Sequence, residues 1–202
     1  MIRFKKGNTT HVILSPGEYH VSNRNTTIST LLGSCISACL YDPYHGIVGM
    51  NHFLLSGEPQ NVPDKKPFYL TDAGRYGVNA MELVINGMLR LGADRSHIRA
   101  KVFGGSSFLP APDTPDSFFS VGEVNSRFIM EFLQNDGIPL IAYDIGGNQG
   151  RKVLFSSHDF SVIVRKTQPI GTATRLLKKE KQFWINSTFT RERQTEEPDI
   201  WK

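Results

Sequence analysis

Ser29-Thr30-Leu31-Leu32-Gly33-Ser34-Cys35-Ile36-Ser37-Ala38-Cys39-Leu40-Tyr41-Asp42-Pro43-Tyr44-His45-Gly46-Ile47-Val48-Gly49-Met50-Asn51-His52 is the stretch whose reading decides the fold. Two apolar-rich runs flank the cluster Asp42-Pro43-Tyr44-His45-Gly46. Proline presets φ and glycine accepts positive φ, so the cluster is a turn and the segment reads as strand, turn, strand. Antiparallel pairing about that turn matches positions whose numbers add to about 87 or 88. Cys35 then stands directly opposite His52, with Cβ atoms roughly 4.5–5.5 Å apart.

A thiol beside an imidazole has a specific chemistry. The thiolate is the nucleophile, the ring takes its proton, and the same ring can return a proton to a leaving amine. Such a ring is usually oriented by a third polar group. Ser29 and Thr30, just upstream, both carry hydroxyls. Gly33 and Ser34 let the backbone approach a ligand closely, and the N–H groups there are suited to an oxyanion. Set against this, a free cysteine is commonly a small buried hydrophobe. Cys39 is read that way: it shares a strand face with Cys35 but has no histidine opposite. A Cys35–Cys39 disulfide is excluded, since i and i+4 on a strand lie too far apart.

Outward from this hairpin, composition narrows the class. A chain of 202 residues, 39% hydrophobic, suits one soluble globular domain with an extension. A net charge of +4 does not point to nucleic acid. Two cysteines cannot build a disulfide scaffold, and a reduced cytoplasmic setting fits a working thiol. Met1–Lys6 is basic with no long apolar run behind it, so neither a signal peptide nor a membrane span is expected. No Cys/His set has zinc spacing, and no glycine pattern matches a phosphate loop, so neither metal nor cofactor is expected.

Residues 11–21 read as an early strand and turn, and residues 23–27 as a polar loop. Residues 56–71, with Pro59, Pro63 and Pro67, form a long loop after His52, either a rim of the site or a solvated excursion. Met81, Val84, Ile85, Met88 and Leu91 follow helical spacing from about Thr71, with Thr71 or Asp72 as cap and Gly92 as stop. Residues 98–103 read as a buried strand ended by Gly104-Gly105, a place for close backbone packing. After a loop over 109–120, a second helix runs from about Val121 to Gln134. Strands follow at 139–144, 151–156 and 160–165; His158-Asp159 between the last two is turn chemistry. Arg175–Lys181 with Phe183-Trp184-Ile185 suggests a short basic amphipathic helix, packed on the domain or lying on a membrane surface. Strands thus predominate, and the class is α/β with a mainly antiparallel or mixed sheet and two principal helices.

Several motifs agree in order with one family. Thr30-Leu31-Leu32-Gly33-Ser34-Cys35, Tyr41-Asp42-Pro43, Gly49-Met50-Asn51-His52-Phe53-Leu54-Leu55, Lys101-Val102-Phe103-Gly104-Gly105-Ser106, and Asp144-Ile145-Gly146-Gly147 followed by Arg151 resemble the CheD family, the chemoreceptor glutamine deamidases of bacterial chemotaxis. The resemblance spans about residues 12–166. It implies a layered α/β/α deamidase-like fold over 1–166, with 167–202 as a basic extension. It also implies Cys35 as nucleophile, His52 as base and an upstream hydroxyl, aligned with Ser29 and with Thr30 as the alternative, as orienting group. The expected reaction is conversion of chemoreceptor Gln side chains to Glu, in the cytoplasm and without a cofactor, with a CheC-type phosphatase as a further partner. A docking module for that phosphatase or for the receptor is the alternative. A papain-like peptidase is disfavoured by the short separation of Cys35 and His52.

Overall fold

The computed structural model describes residues 1–55, 72–107 and 121–167, together with residue 182. The loop over 56–71, the expected cap at Thr71, the whole 109–120 loop and the basic extension beyond 167 therefore lie outside the described residues, Gln182 excepted. Among the described residues ten strands and two α-helices follow in order, besides a short 3-10 turn at Arg95–His97: β1 Ile2–Lys6, β2 Thr9–Ile13, β3 Tyr19–Ser22, β4 Thr26–Leu32, β5 Ile36–Asp42, β6 Ile47–Asn51, α1 Asp72–Arg90, β7 Arg99–Gly104, α2 Val121–Asn135, β8 Leu140–Ile145, β9 Arg151–Ser156 and β10 Val162–Lys166.

The strands form two five-stranded sheets, ordered β1-β2-β4-β9-β10 and β3-β6-β5-β7-β8. Each is mixed: β2–β4 and β7–β8 are the parallel pairs, and the other pairings are antiparallel. Alternation along β5 and β6 decides what the second sheet packs against. Ile36, Ala38, Leu40 and Ile47 meet Met81, Val84, Ile85 and Met88 of α1 and Phe128, Ile129 and Leu133 of α2. Cys35, Cys39, Tyr41, Val48 and Met50 point the other way, onto Val12, Ile28, Leu32, Val153 and Phe155 of the first sheet. The α/β class, the two helices and the mixed pairing are as expected. The layering is more particular: both described helices lie on one face, so the order is helices, sheet, sheet. β1 escapes the sequence reading because all five of its residues are exposed, leaving no alternation to see.

Both helices end by the same device. Gly92 takes φ +99°, Gly92 N–H donates to Leu89 O, and Ala93 N–H donates to Met88 O. Gly137, at φ +67°, does the same with Gln134, while Ile138 N–H donates to Leu133 O. Each is a Schellman stop that a side chain with Cβ would strain.

Helix α1 seats on β6 where Gly49 leaves room: a Cβ there would stand 2.6 Å from Val84 Cγ2 and 2.9 Å from Met88 Sδ. Gly49→Ala is expected to destabilise the fold by about 1–3 kcal/mol. In urea unfolding its midpoint falls with the slope unchanged, and the double variant Gly49→Ala/Val84→Ala is expected to lose less than the sum of the two separate losses, because shortening Val84 makes room for the new methyl.

Candidate active site

The hairpin forms, but its register differs from the expectation. Cys39 pairs with Met50, Leu40 with Gly49 and Asp42 with Ile47. The turn is therefore the four residues Pro43 to Gly46. Asp42 sets it: Oδ1 accepts from Tyr44 N–H at 2.9 Å and His45 N–H at 3.2 Å, and Gly46 closes it at φ +67°. The pairing resumes at Ile36 and Phe53, which exchange hydrogen bonds of 3.0 and 2.9 Å. Carried one residue on, Leu54 stands opposite Cys35, and Ser37 opposite His52. Cys35 and His52 are thus not directly opposed. They are diagonal neighbours on the face turned toward the first sheet, a relation that places Cβ atoms somewhat under roughly 7–8 Å apart.

His52 is fixed at both its backbone and its ring. Its carbonyl accepts from Gly17 N–H at 2.7 Å, and its N–H donates to Glu18 O at 2.9 Å. The Ser15–Glu18 turn thereby clasps the end of β6. From the facing sheet, Thr30 Oγ1 reaches His52 Nδ1 at 2.7 Å and Leu14 O at 2.8 Å. A carbonyl can only accept, so the single Thr30 proton goes to Leu14, and the hydroxyl accepts from Nδ1–H. That assigns the Nδ1–H tautomer and leaves a lone pair on Nε2, which is buried and has no hydrogen-bond partner among the described residues. Burial pushes the ring's pKa down from 6.5 to about 4, so it is a neutral imidazole at neutral pH.

Ser29 does not meet the ring. Along β4 burial alternates, with Ile28, Thr30 and Leu32 inward and Ser29 turned to the other face, its hydroxyl 3.4 Å from Val12 O. The hydroxyl on His52 is that of Thr30, the alternative position, and the cause is the two-residue period of the strand.

Cys35 closes the bend Gly33–Cys35 between β4 and β5 and is fully buried. Three donors grip the carbonyls of this bend in turn. Ser106 N–H binds Gly33 O at 2.8 Å, Asn125 Nδ2 binds Ser34 O at 2.9 Å, and Gly105 N–H binds Cys35 O at 2.8 Å. The close packing expected at Gly104-Gly105 is present: Gly104 sits at φ +116°, and a Cβ there would collide with the Cys35 carbonyl. Behind this segment lies Arg151, 2% exposed. It donates to Gly104 O at 3.0 Å, Ser106 Oγ at 2.6 Å, Gly146 O at 2.6 Å and Asp144 Oδ1 at 2.8 Å. Its guanidinium holds the Asp144 carboxyl below the usual carboxylate range. Sequence reasoning gave neither Asn125 nor Arg151 a place in the site. The signal for Asn125 was its spacing: with Phe128, Ile129 and Phe132 it makes an i, i+3, i+4, i+7 stripe, so a polar residue occupies a core position.

Cys39 is fully buried, and burial raises its thiol pKa strongly, which suits an inert core residue. His158 and Asp159 serve their turn: Asp159 Oδ1 accepts from Ser161 N–H and Oγ. Among the described residues, Asp42, His45 and His97 bring potential metal-ligand atoms within 4.8 Å of one another. They lie at the far end of β5 from Cys35, and both Asp42 oxygens are already engaged, Oδ2 by His45 Nδ1 at 2.7 Å and Asp94 N–H at 2.9 Å. That carboxylate anchors the turn.

The buried ring carries a pH signature. The folded state holds His52 neutral, while the unfolded state takes up its proton near 6.5. Stability from this residue is therefore complete above that pH and falls as pH drops toward 4, by up to about 3 kcal/mol. Urea unfolding at stepped pH is expected to show this loss in the wild type, with a flatter profile for His52→Gln across the same interval.

The family described as CheD chemotactic sensory transduction matches residues 60–166. The chain is 44% identical over 192 residues to the probable chemoreceptor glutamine deamidase CheD 1 of Geobacter sulfurreducens, covering 95% of this chain and 94% of that one. It is 44% identical to a CheD 2 of Shewanella oneidensis, over 76% of this chain and 75% of the relative. With the CheD of Agrobacterium fabrum it shares 49% identity over 72% of each. A solved structure, the hypothetical protein YfiH of Bacillus licheniformis, covers 62% of this chain and 49% of its own at 18% identity and TM-score 0.37. The agreement with the Geobacter sulfurreducens relative extends over 95% of the chain, and the motifs around Cys35, His52 and Arg151 fall inside it: this chain belongs to the CheD family.

Proposed function

We propose that this protein is a cysteine-dependent glutamine deamidase of methyl-accepting chemoreceptors, acting in the cytoplasm and with CheC-type phosphatases as regulatory partners. Its relatives are named probable chemoreceptor glutamine deamidases. No helix among the described residues is long and apolar enough to cross a membrane, which accords with reaching receptors from one side. The observation that carries the mechanism is the Leu14–Thr30–His52 chain, which leaves Nε2 as a base on the face it shares with Cys35.

In this reading His52 Nε2 takes the Cys35 proton as substrate enters, when catalytic hydrogen bonds tighten. The thiolate attacks the carboxamide carbon of a receptor Gln, forming a C–S bond and a tetrahedral oxyanion. Backbone N–H groups of the Gly33–Cys35 bend are the groups assigned to hold that oxygen: the carbonyls of Gly33 and Ser34 point toward Ser106 and Asn125, so the N–H groups of the same trans peptides point away from those partners. The imidazolium then gives its proton to the amide nitrogen, the C–N bond breaks, and ammonia leaves a thioester. Water, deprotonated at Nε2, adds to the thioester carbon. The C–S bond breaks, the thiolate is reprotonated, and Glu is released. The product carries a charge its precursor lacked, which is how a local change alters receptor signalling.

Mass spectrometry of a receptor cytoplasmic fragment is the test. Wild-type protein is expected to add about one dalton per site, and Cys35→Ala none. Thr30→Val is expected to lose roughly 10–100-fold in rate by freeing the ring, with Ser29→Ala close to wild type. Conversion by Cys35→Ala at the wild-type rate would overturn the cysteine mechanism.

A further inference from the structure

We infer that Asn125 is a positioning residue for the reaction: a helix side chain that sets the peptide before the nucleophile and ties it to the strand end carrying the base. This rests on the cysteine mechanism proposed above and adds a residue to it.

Asn125 lies on α2, far in sequence from both halves of the dyad, and its side chain is completely buried. Its amide makes two hydrogen bonds that no ordinary helix contact requires. Nδ2 donates to Ser34 O at 2.9 Å, and Oδ1 accepts from Leu55 N–H at 2.8 Å. Ser34 immediately precedes Cys35, and Leu55 lies three residues after His52. One planar amide thus fixes the distance between the nucleophile's bend and the extension of the strand that bears the base. This matters because the β5–β6 ladder does not reach Cys35: regular pairing runs from Asp42 to Cys39, and only the isolated Ile36–Phe53 bridge continues it. Where backbone pairing gives out, the side chain of Asn125 supplies the cross-link.

The bond to Ser34 O has a second consequence. The Ser34–Cys35 peptide is planar and trans, so holding its carbonyl toward α2 aims Cys35 N–H away from the helix. The same contact therefore sets both the Cys35 backbone and the direction of one oxyanion donor. The neighbouring carbonyls, of Gly33 and Cys35, are held independently by Ser106 and Gly105, so loss of Asn125 removes the grip on the Ser34 carbonyl while theirs remain. The room for α2 at this point is made by Gly122, where a Cβ would stand 2.6 Å from Gly105 O and 2.8 Å from Ser106 O.

Asparagine is the side chain that fits: it presents one donor and one acceptor on a short stem. An aspartate of the same shape still accepts from Leu55 but, when ionised, turns an anion on Ser34 O. When protonated it donates to Ser34 as the amide did. A buried carboxyl takes up a proton well above its usual pH, so Asn125→Asp converts the contact into one that pH controls. The titratable groups nearest its two bonds are Cys35 and His52; its own helix carries Glu123, Arg127 and Glu131, and the elements packed against that helix carry Cys39, Tyr41 and Asp42 on β5, Arg99 and Lys101 on β7, and Arg75, Tyr76, Glu82 and Arg90 on α1. All are common to wild type, so the ratio of the two enzymes isolates position 125.

The experiment measures kcat and KM for deamidation of a receptor cytoplasmic fragment by wild type, Asn125→Asp and Asn125→Ser between pH 6 and 9, per Cys35 thiol titrated in the folded protein. Cys35→Ala is run beside them, and its full activity would overturn the underlying mechanism rather than this inference. The expected result is a kcat for Asn125→Asp about 10–100-fold below wild type at high pH with KM little changed, recovering toward wild type as pH falls, and for Asn125→Ser a loss that pH does not relieve. A purely structural role would lower the melting temperature and the fraction of titratable folded enzyme but leave kcat per folded site intact. If both variants match wild-type kcat per site across the range, or if the loss falls in KM alone, the inference is overturned.

Discussion

The hydrogen bond from His52 Nδ1 to Thr30 is the contact on which the rest of the site depends. It joins the two sheets, with Thr30 on one and His52 at the end of a strand in the other, and Leu14 takes the hydroxyl proton that would otherwise be offered to the ring. The direction of one proton therefore decides which nitrogen is basic. Burial then keeps the ring neutral, so the base is ready before substrate arrives. A charged histidine in this position would have no lone pair with which to take the thiol proton, and an unoriented one would have the wrong nitrogen facing the thiol. The cost is a polar ring buried in the protein, and the Thr30 hydroxyl satisfies one of its two nitrogens.

Around this contact the protein is built to hold backbone rather than side chains. The bend carrying Cys35 has its three successive carbonyls gripped by two backbone N–H groups and one amide, and the segment that supplies the N–H groups is itself gripped by Arg151. Guanidinium suits that task because its donors form a fixed fork, here spread over carbonyls from two glycine turns, a hydroxyl and the Asp144 carboxylate. Glycines at 104 and 105 let the chain pass close enough for this to work. The result is a nucleophile whose backbone position is set from the sheet side, the helix side and the glycine turn at once.

Much of this was legible in the sequence, and the failures have particular causes. The helices declared themselves through Met81, Val84, Ile85 and Met88 and through Gly92. The hairpin was plain, but its register was not: Asp42 draws Tyr44 and His45 onto its carboxylate and lengthens the loop to four residues, displacing the strands by two positions at Cys35. The choice between Ser29 and Thr30 turned on parity, and Ile28 and Leu32, the apolar residues sharing Thr30's face, held the answer. What could not be read was anything set by non-local pairing. Strand β2 skips β3 to lie parallel to β4, and β4 takes β9 as its other neighbour, which makes two facing sheets out of strands that look alike in sequence. Asn125 belongs to the same class, since its partners lie 91 and 70 residues away.

The tautomer of His52 tests the account most directly. Nitrogen-15 NMR of the histidine rings at neutral pH reports which nitrogen bears the proton, and comparison with His52→Gln assigns the signal. The account predicts a neutral ring protonated at Nδ1, with its Nε2 proton-free, and loss of that preference in Thr30→Val. A proton on Nε2, or a ring still charged at neutral pH, would contradict it.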